Sequence, residues 1–140
     1  MRLSRENDFD FGNDASHIEV VTRYLELTAR RRLTEAEAFL AKEAVLVFSN
    51  GTFSDLAAMV EAAGGRYRRI GKTYETWDVA HHNDGSVVVV NTGTLHGVNH
   101  HGASFDGIRY IDRFVLRGGK IVLQQVWNDL VESGALDRLR

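Results

Sequence analysis

Cysteine is missing from all 140 residues, and so is proline. Without cysteine there is no disulfide, no thiol nucleophile and no thiolate metal site, and the redox compartment is left unread. There is also little net charge. Lys+Arg 17 against Asp+Glu 19 leaves a net charge of -2. The single cationic run, Arg30-Arg31-Arg32, reads as the end of a helix, where cations suit the dipole, so a nucleic-acid partner is not expected. No apolar run approaches the roughly 20 residues of a membrane span, and the opening "MRLSRENDFDFGND" lacks the apolar core of a signal peptide. The expectation is a cytoplasmic protein with a polar tail over residues 1–15 and no membrane partner.

What is present is ordinary for a globular chain, with 44% hydrophobic and 26% charged residues. One domain is expected, over 16–134, followed by a short tail at 135–140. Ser16 to Glu19 fits a capping box, after which Val20, Val21, Tyr24, Leu25 and Thr28 recur at helical spacing. Thr34 to Glu37 repeats the capping signature and predicts a short helix through Leu40. "AVLVFSNG" predicts a strand ending at an Asn-Gly turn. Leu56, Met59, Val60 and Ala63 mark a third helix, stopped by Gly64-Gly65.

From Arg68 the apolar period changes to two, and hairpin signals at Asn83-Asp84-Gly85 and Gly118-Gly119 separate long strands. Three helices followed by about four long antiparallel strands is an α+β pattern. A two-residue turn at Asp84-Gly85 pairs Trp77 with Thr92 and Asp78 with Asn91. An even-numbered loop around His100-His101 sets Asn91 beside Tyr110 and Val89 beside Asp112. One face then carries Tyr74, Thr76, Asp78, Asn91, Leu95, Ile108, Tyr110, Asp112 and Phe114. The other carries Trp77, Val79, Val90, Arg109, Ile111 and Arg113. The helices can cover only one face, so an apolar opposite face with Trp77, Ile111, Leu123 and Trp127 predicts a homodimer packed sheet to sheet.

Two stretches, "RYLELTARRRLTEAEAFLAKEAVLVF" and "DRFVLRGGKIVLQQVWND", resemble the opening and closing segments of the nuclear-transport-factor-2-like superfamily, in its SnoaL-like and ketosteroid-isomerase-like branch. The resemblance implies a cone, with about three N-terminal helices on a curved antiparallel sheet around a central pocket. It also implies that the final strand points Gln124, Val126 and Asn128 inward, which requires an odd-length turn at Arg117-Gly118-Gly119. Carried over by position, the oxyanion-hole tyrosine of the isomerases matches Tyr24. Their base falls on Phe48, which cannot accept a proton, and their second oxyanion-hole acid falls on Tyr110. Ketosteroid isomerisation is therefore excluded. Epoxide-hydrolase chemistry is not expected either, because the nearest positions read Tyr110-x-Asp112 and Val126.

The resemblance implies a small apolar, polyketide- or steroid-like ligand and no cofactor. Asp112 is the expected acid–base residue, since desolvation in an apolar cone suits that work, with Tyr24 as oxyanion donor and Asp78 as a second catalytic candidate. Tyr110, Asn128, Asn91, Phe48, Phe114 and Val126 are the expected ligand contacts, and His96 joins them only if its hairpin slips. No histidine pair has metal-ligand spacing, so no metal is expected. A buried, hydrogen-bonded Asp112 without catalysis stays open. So do a non-catalytic ligand binder and a module acting through its dimer face.

Overall fold

The computed structural model describes residues 11–138. Helix α1 spans Phe11–Ala29, α2 Leu33–Glu37 and α3 Leu56–Ala63. The strands are β1 Leu40–Phe48, β2 Gly51–Phe53, β3 Tyr67–His81, β4 Val87–Asn99, β5 Ser104–Arg117 and β6 Lys120–Asn128. They form one sheet in the order β2-β1-β6-β5-β4-β3, curved around the helices. The α+β cone expected from the sequence is the observed architecture. One pairing departs from it. β1 lies parallel to β6, so the sheet is mixed rather than wholly antiparallel. No described helix is long and apolar enough to cross a membrane.

Local signals placed two helix starts too late. Ser16 lies inside α1, which is already helical at Phe11 and carries Asp14 in its first turn, where an acid complements the dipole. Asp14 Oδ1 also meets His81 Nε2 at 2.7 Å, tying this end to β3. Thr34 lies inside α2, which opens at Leu33 without a side-chain cap and ends at Glu37. Leu40 joins β1 instead, because Ile121 N–H donates to the Phe39 carbonyl at 2.9 Å and draws this segment into the sheet. Pairing overrides a weak helical preference. α3 is capped as its sequence suggests, with the Asp55 carboxylate accepting from Ala57 N–H at 2.9 Å.

Val21 and Tyr24 from α1, Leu46 from β1, Leu56 from α3, Val89 from β4 and Phe114 from β5 form the main core. A second cluster gathers Leu95, Phe105, Ile108, Tyr110, Leu130 and Ala135. Buried Asn99 locks its edge. Its Nδ2 donates to the carbonyls of Ala135 at 3.0 Å and Asp137 at 2.7 Å, while Oδ1 accepts from His101 and Ala103 N–H. Packing therefore runs past residue 134. Of the expected tails, the first ten residues and the last two lie outside the described residues.

The hairpins set which side chains enter the cone. His81 pairs with Val87, so the β3–β4 loop spans five residues rather than two, and a bulge shifts the register again between Tyr74 and Thr76. Trp77 then pairs with Asn91 and Asp78 with Val90. The slip reverses both side chains: Trp77 packs against the core, while Asp78 and Thr76 are exposed. The β4–β5 pairing differs from expectation by two residues, Asn91 opposite Asp112, which preserves the face. At the last hairpin, Gly118 (φ 59°) and Gly119 (φ 78°) make a two-residue turn with both residues left-handed. A bulge between Val115 and Leu116 supplies the odd residue, so Gln124 and Val126 still share the face of Phe114 and Asp112.

Candidate functional site

A cavity of about 400 Å³ lies between α1, α3 and the inner face of the sheet. Its wall is mostly apolar, with Leu25, Phe48, Met59, Val60, Ile70 and Val126 among the lining. All four tyrosines of the chain, Tyr24, Tyr67, Tyr74 and Tyr110, also line it. Arg31 and Arg66 lie on the side of Tyr67, where their charges oppose the rise that burial imposes on its phenol. Arg31 ends α1 in a left-handed conformation (φ 62°), with its guanidinium donating to the Thr28 carbonyl at 2.8 Å.

Asp112 is the focus of this wall. It is fully buried in the middle of β5 and lines the cavity. Its Oδ2 accepts from Lys72 Nζ, and its Oδ1 has no hydrogen-bond partner among the described residues. Lys72 comes from β3 and is 26% exposed, with Nζ 4.8 Å from the centre of the Tyr110 ring. The carboxylate expected in a purely apolar setting is thus half of an ion pair, whose attraction offsets the cost of burying the charge. Burial raises the Tyr24 phenol far above its ordinary range, and the Asp112 charge adds to the rise. The same two causes, in the same order, raise Tyr110.

Tyr24, the expected oxyanion donor, and Tyr110, the expected ligand contact, have their protons engaged elsewhere. Tyr24 O–H donates to Gln124 Oε1 at 2.7 Å, and Tyr110 O–H donates to Asn91 Oδ1 at 2.6 Å. Asn91 is itself buried, and its Nδ2 donates to the Thr76 carbonyl at 3.0 Å, so it braces Tyr110 instead of lining the cavity. Asn128 does line it. Its Oδ1 accepts from Leu130 N–H at 3.1 Å, and its Nδ2 makes no hydrogen bond among the described residues.

The structure therefore brings Tyr24, Tyr110, Asp112, Asn128, Phe48 and Val126 to one cavity. It does not bring Asp78 there. Phe114 stands behind the wall, edge-on to Tyr24 with ring centres 6.2 Å apart. His96 lies across from Gly71 on the outer face, its ring filling the space a Cβ there would take. No group of three His, Asp or Glu among the described residues is placed to hold a metal. Lys72 is the residue that sequence reasoning missed. Stepping back two residues along the strand from Tyr74 to Lys72, and again to Ile70, would have found it.

A model of the SnoaL-like domain matches residues 21–124. No curated protein matches the sequence. Among solved structures, a nuclear-transport-factor-2-like protein of unknown function from Burkholderia pseudomallei superposes with a TM-score of 0.74 at 16% identity, covering 86% of this chain and 96% of that one. A SnoaL-like polyketide cyclase candidate from Jannaschia sp. gives 0.70 at 17% identity, covering 90% and 94%. TerC, co-crystallised with polyporic acid, gives 0.67 at 15% identity, covering 86% and 97%. At such identities the likeness is one of fold.

Proposed function

The chain belongs to the SnoaL-like domain family, and on that premise we propose that it holds a small, largely apolar organic molecule in the cone and moves a proton on it with Asp112. The observation that carries this reading is the Asp112 carboxylate, buried at the cavity wall with Oδ1 unpartnered. Leaving a buried polar atom unsatisfied costs about 1–3 kcal/mol, and a native site keeps such an atom for a reason. A ligand proton is the fitting partner. Asp112 takes it from a carbon beside a carbonyl, and the C–H electron pair moves onto the carbonyl oxygen as an enolate. The same carboxyl returns the proton to complete a cyclisation, an isomerisation or a loss of water, without a cofactor. Asn128 Nδ2 orients the ligand. Ketosteroid isomerisation is not the reaction, because Phe48 stands where its base belongs. The cyclase candidate and the polyporic acid complex of TerC support a polyketide-like ligand by analogy of fold.

Deuterium exchange at the acidic CH2 of 2-tetralone in D2O tests the proton transfer. The native protein should accelerate exchange, and Asp112→Asn should lose about 10²–10⁴ of that acceleration while still binding the ketone. Equal exchange by both proteins would defeat the catalytic reading. Retained binding would then favour a non-catalytic carrier, and no binding a module that acts by association.

Association itself is expected through the outer face. Ile111 and Trp127 pair across β5 and β6 and stand 46% and 52% exposed, with Leu123 and Val45 paired alongside. Burying each large side chain is worth roughly 1.5–3 kcal/mol, which favours a second copy over water. The Arg109–Asp129 ion pair and Arg113 supply a polar rim. Trp77, which turns inward, takes no part. Sedimentation at micromolar concentration should show a dimer, and Trp127→Glu a monomer. A native monomer rejects the interface.

A further inference from the structure

We infer that Lys72 is the group that stabilises negative charge on the ligand, so the cavity selects molecules presenting an oxygen that is anionic, or becomes so, beside Asp112. The inference rests on the reading that a small organic molecule occupies the cavity. Proton removal by Asp112 leaves an enolate oxygen, and that charge needs a donor positioned before the reaction begins. The tyrosines are poorly placed to supply one. Tyr24 and Tyr110 donate to Gln124 and Asn91, and burial followed by the Asp112 charge holds both as neutral phenols.

Lys72 has what they lack. An ammonium carries three N–H donors. One is given to Asp112 Oδ2, and among the described residues no other acceptor takes the remaining two. The Tyr110 ring beneath Nζ holds the cation by its negative face without consuming a donor. The side chain is largely buried, where a charge acts more strongly than in water. Its strand is also held in place. The His96 ring packs over Gly71 on the opposite face, and the Thr73 carbonyl seats on Gly93. Of the other charged groups lining the cavity, Glu26 on α1 repels an anion, and Arg31 and Arg66 gather around Tyr67 instead. The ammonium and the carboxylate thus form one unit. The carboxylate receives the proton, and the neighbouring cation receives the charge left behind.

The probe is 4-nitro-1-naphthol, a bicyclic phenol coloured as its anion, with its O-methyl ether as the neutral control. The native protein should bind the naphtholate more tightly than the ether and develop the anion's colour at a lower pH than in solution. Lys72→Met should bind the anion about tenfold more weakly relative to the ether, as expected for a lost charged hydrogen bond. Lys72→Arg should keep most of the preference. Because Lys72→Met alone strands the buried carboxylate, the neutral double variant Lys72→Met/Asp112→Asn repeats the measurement in a chain without that penalty. Asp112→Asn alone should hold the anion at least as tightly as the native protein. Equal binding of anion and ether by the native protein, no binding of either, or a preference that survives in the double variant would each overturn the inference. Exchange of 2-tetralone that depends on Asp112 without any naphtholate preference would overturn the role of Lys72 alone. A naphtholate preference without exchange would instead overturn the proton transfer.

Discussion

Gly93→Ala is expected to lower the melting temperature by about 10 °C or more, or to prevent folding outright. A Cβ at this position would stand 2.0 Å from the Thr73 carbonyl oxygen and 3.0 Å from the Tyr110 hydroxyl. The first atom is backbone in the neighbouring strand and cannot rotate away. Overpacking by one methyl commonly costs 1–3 kcal/mol, and a clash with backbone lies at or above the upper end of that range. For a chain of this size each kcal/mol moves the midpoint by about 3–4 °C. Gly97 repeats the device, with the Arg69 carbonyl oxygen 2.0 Å from its absent Cβ. These two glycines admit carbonyls of β3 closer than a side chain would allow, along the stretch of that strand from which Lys72 and Tyr74 line the cavity. Gly65→Ala is the control, since nothing lies within 4 Å of its added carbon. Thermal melts of the three proteins decide the matter. Equal midpoints for Gly93→Ala and the native chain would mean that β3 does not approach β4 as described.

The same strand also marks where sequence reasoning lost the thread. Alternation identifies strands, but a strand's face depends on parity, and a single inserted residue reverses it. The loop after His81 holds five residues instead of two, so Trp77 and Asp78 exchanged faces, and with them went the second catalytic candidate and one residue of the outer patch. The bulge between Tyr74 and Thr76, which no residue announces, then returns Tyr74 to the expected face. On β6 a bulge of the same kind did no harm. The resemblance had tied Gln124, Val126 and Asn128 to the inner face, and a Gly-Gly turn plus a bulge reaches the same parity as an odd-length turn. The burial of Asp112 was legible for that reason, and its ion pair was not. Lys72 reads as an ordinary surface cation until its strand is traced back through Tyr74. The hydrogen bonds that occupy Tyr24 and Tyr110 join residues 100 and 19 positions apart, distances over which no local pattern speaks.

Stability should fall steeply above about pH 10, with little tyrosinate forming before the chain unfolds. An unperturbed phenol ionises near pH 10. Burial raises all four tyrosines of this chain above that value. The Asp112 charge adds to the rise at Tyr24, Tyr74 and Tyr110. A phenol whose folded pKa is raised contributes stability that is fully present below pH 10. Above it the unfolded chain releases protons that the folded chain retains, so stability declines with pH until the folded phenol ionises too. Each phenol still protonated in the folded state steepens the decline by up to about 1.4 kcal/mol per pH unit. Tyr24 and Tyr110, at 0% and 3% exposure, should dominate, while Tyr74, at 37%, is screened by water and contributes less. Ultraviolet difference titration read alongside circular dichroism separates the outcomes, because the two signals should change together. Tyr24→Phe should flatten the alkaline slope while losing the bond to Gln124. Tyrosinate appearing near pH 10 in a fully folded chain would mean that these phenols are open to solvent. Keeping them neutral also keeps a second negative charge from forming beside Asp112, which leaves Lys72 free to meet the charge that a ligand brings.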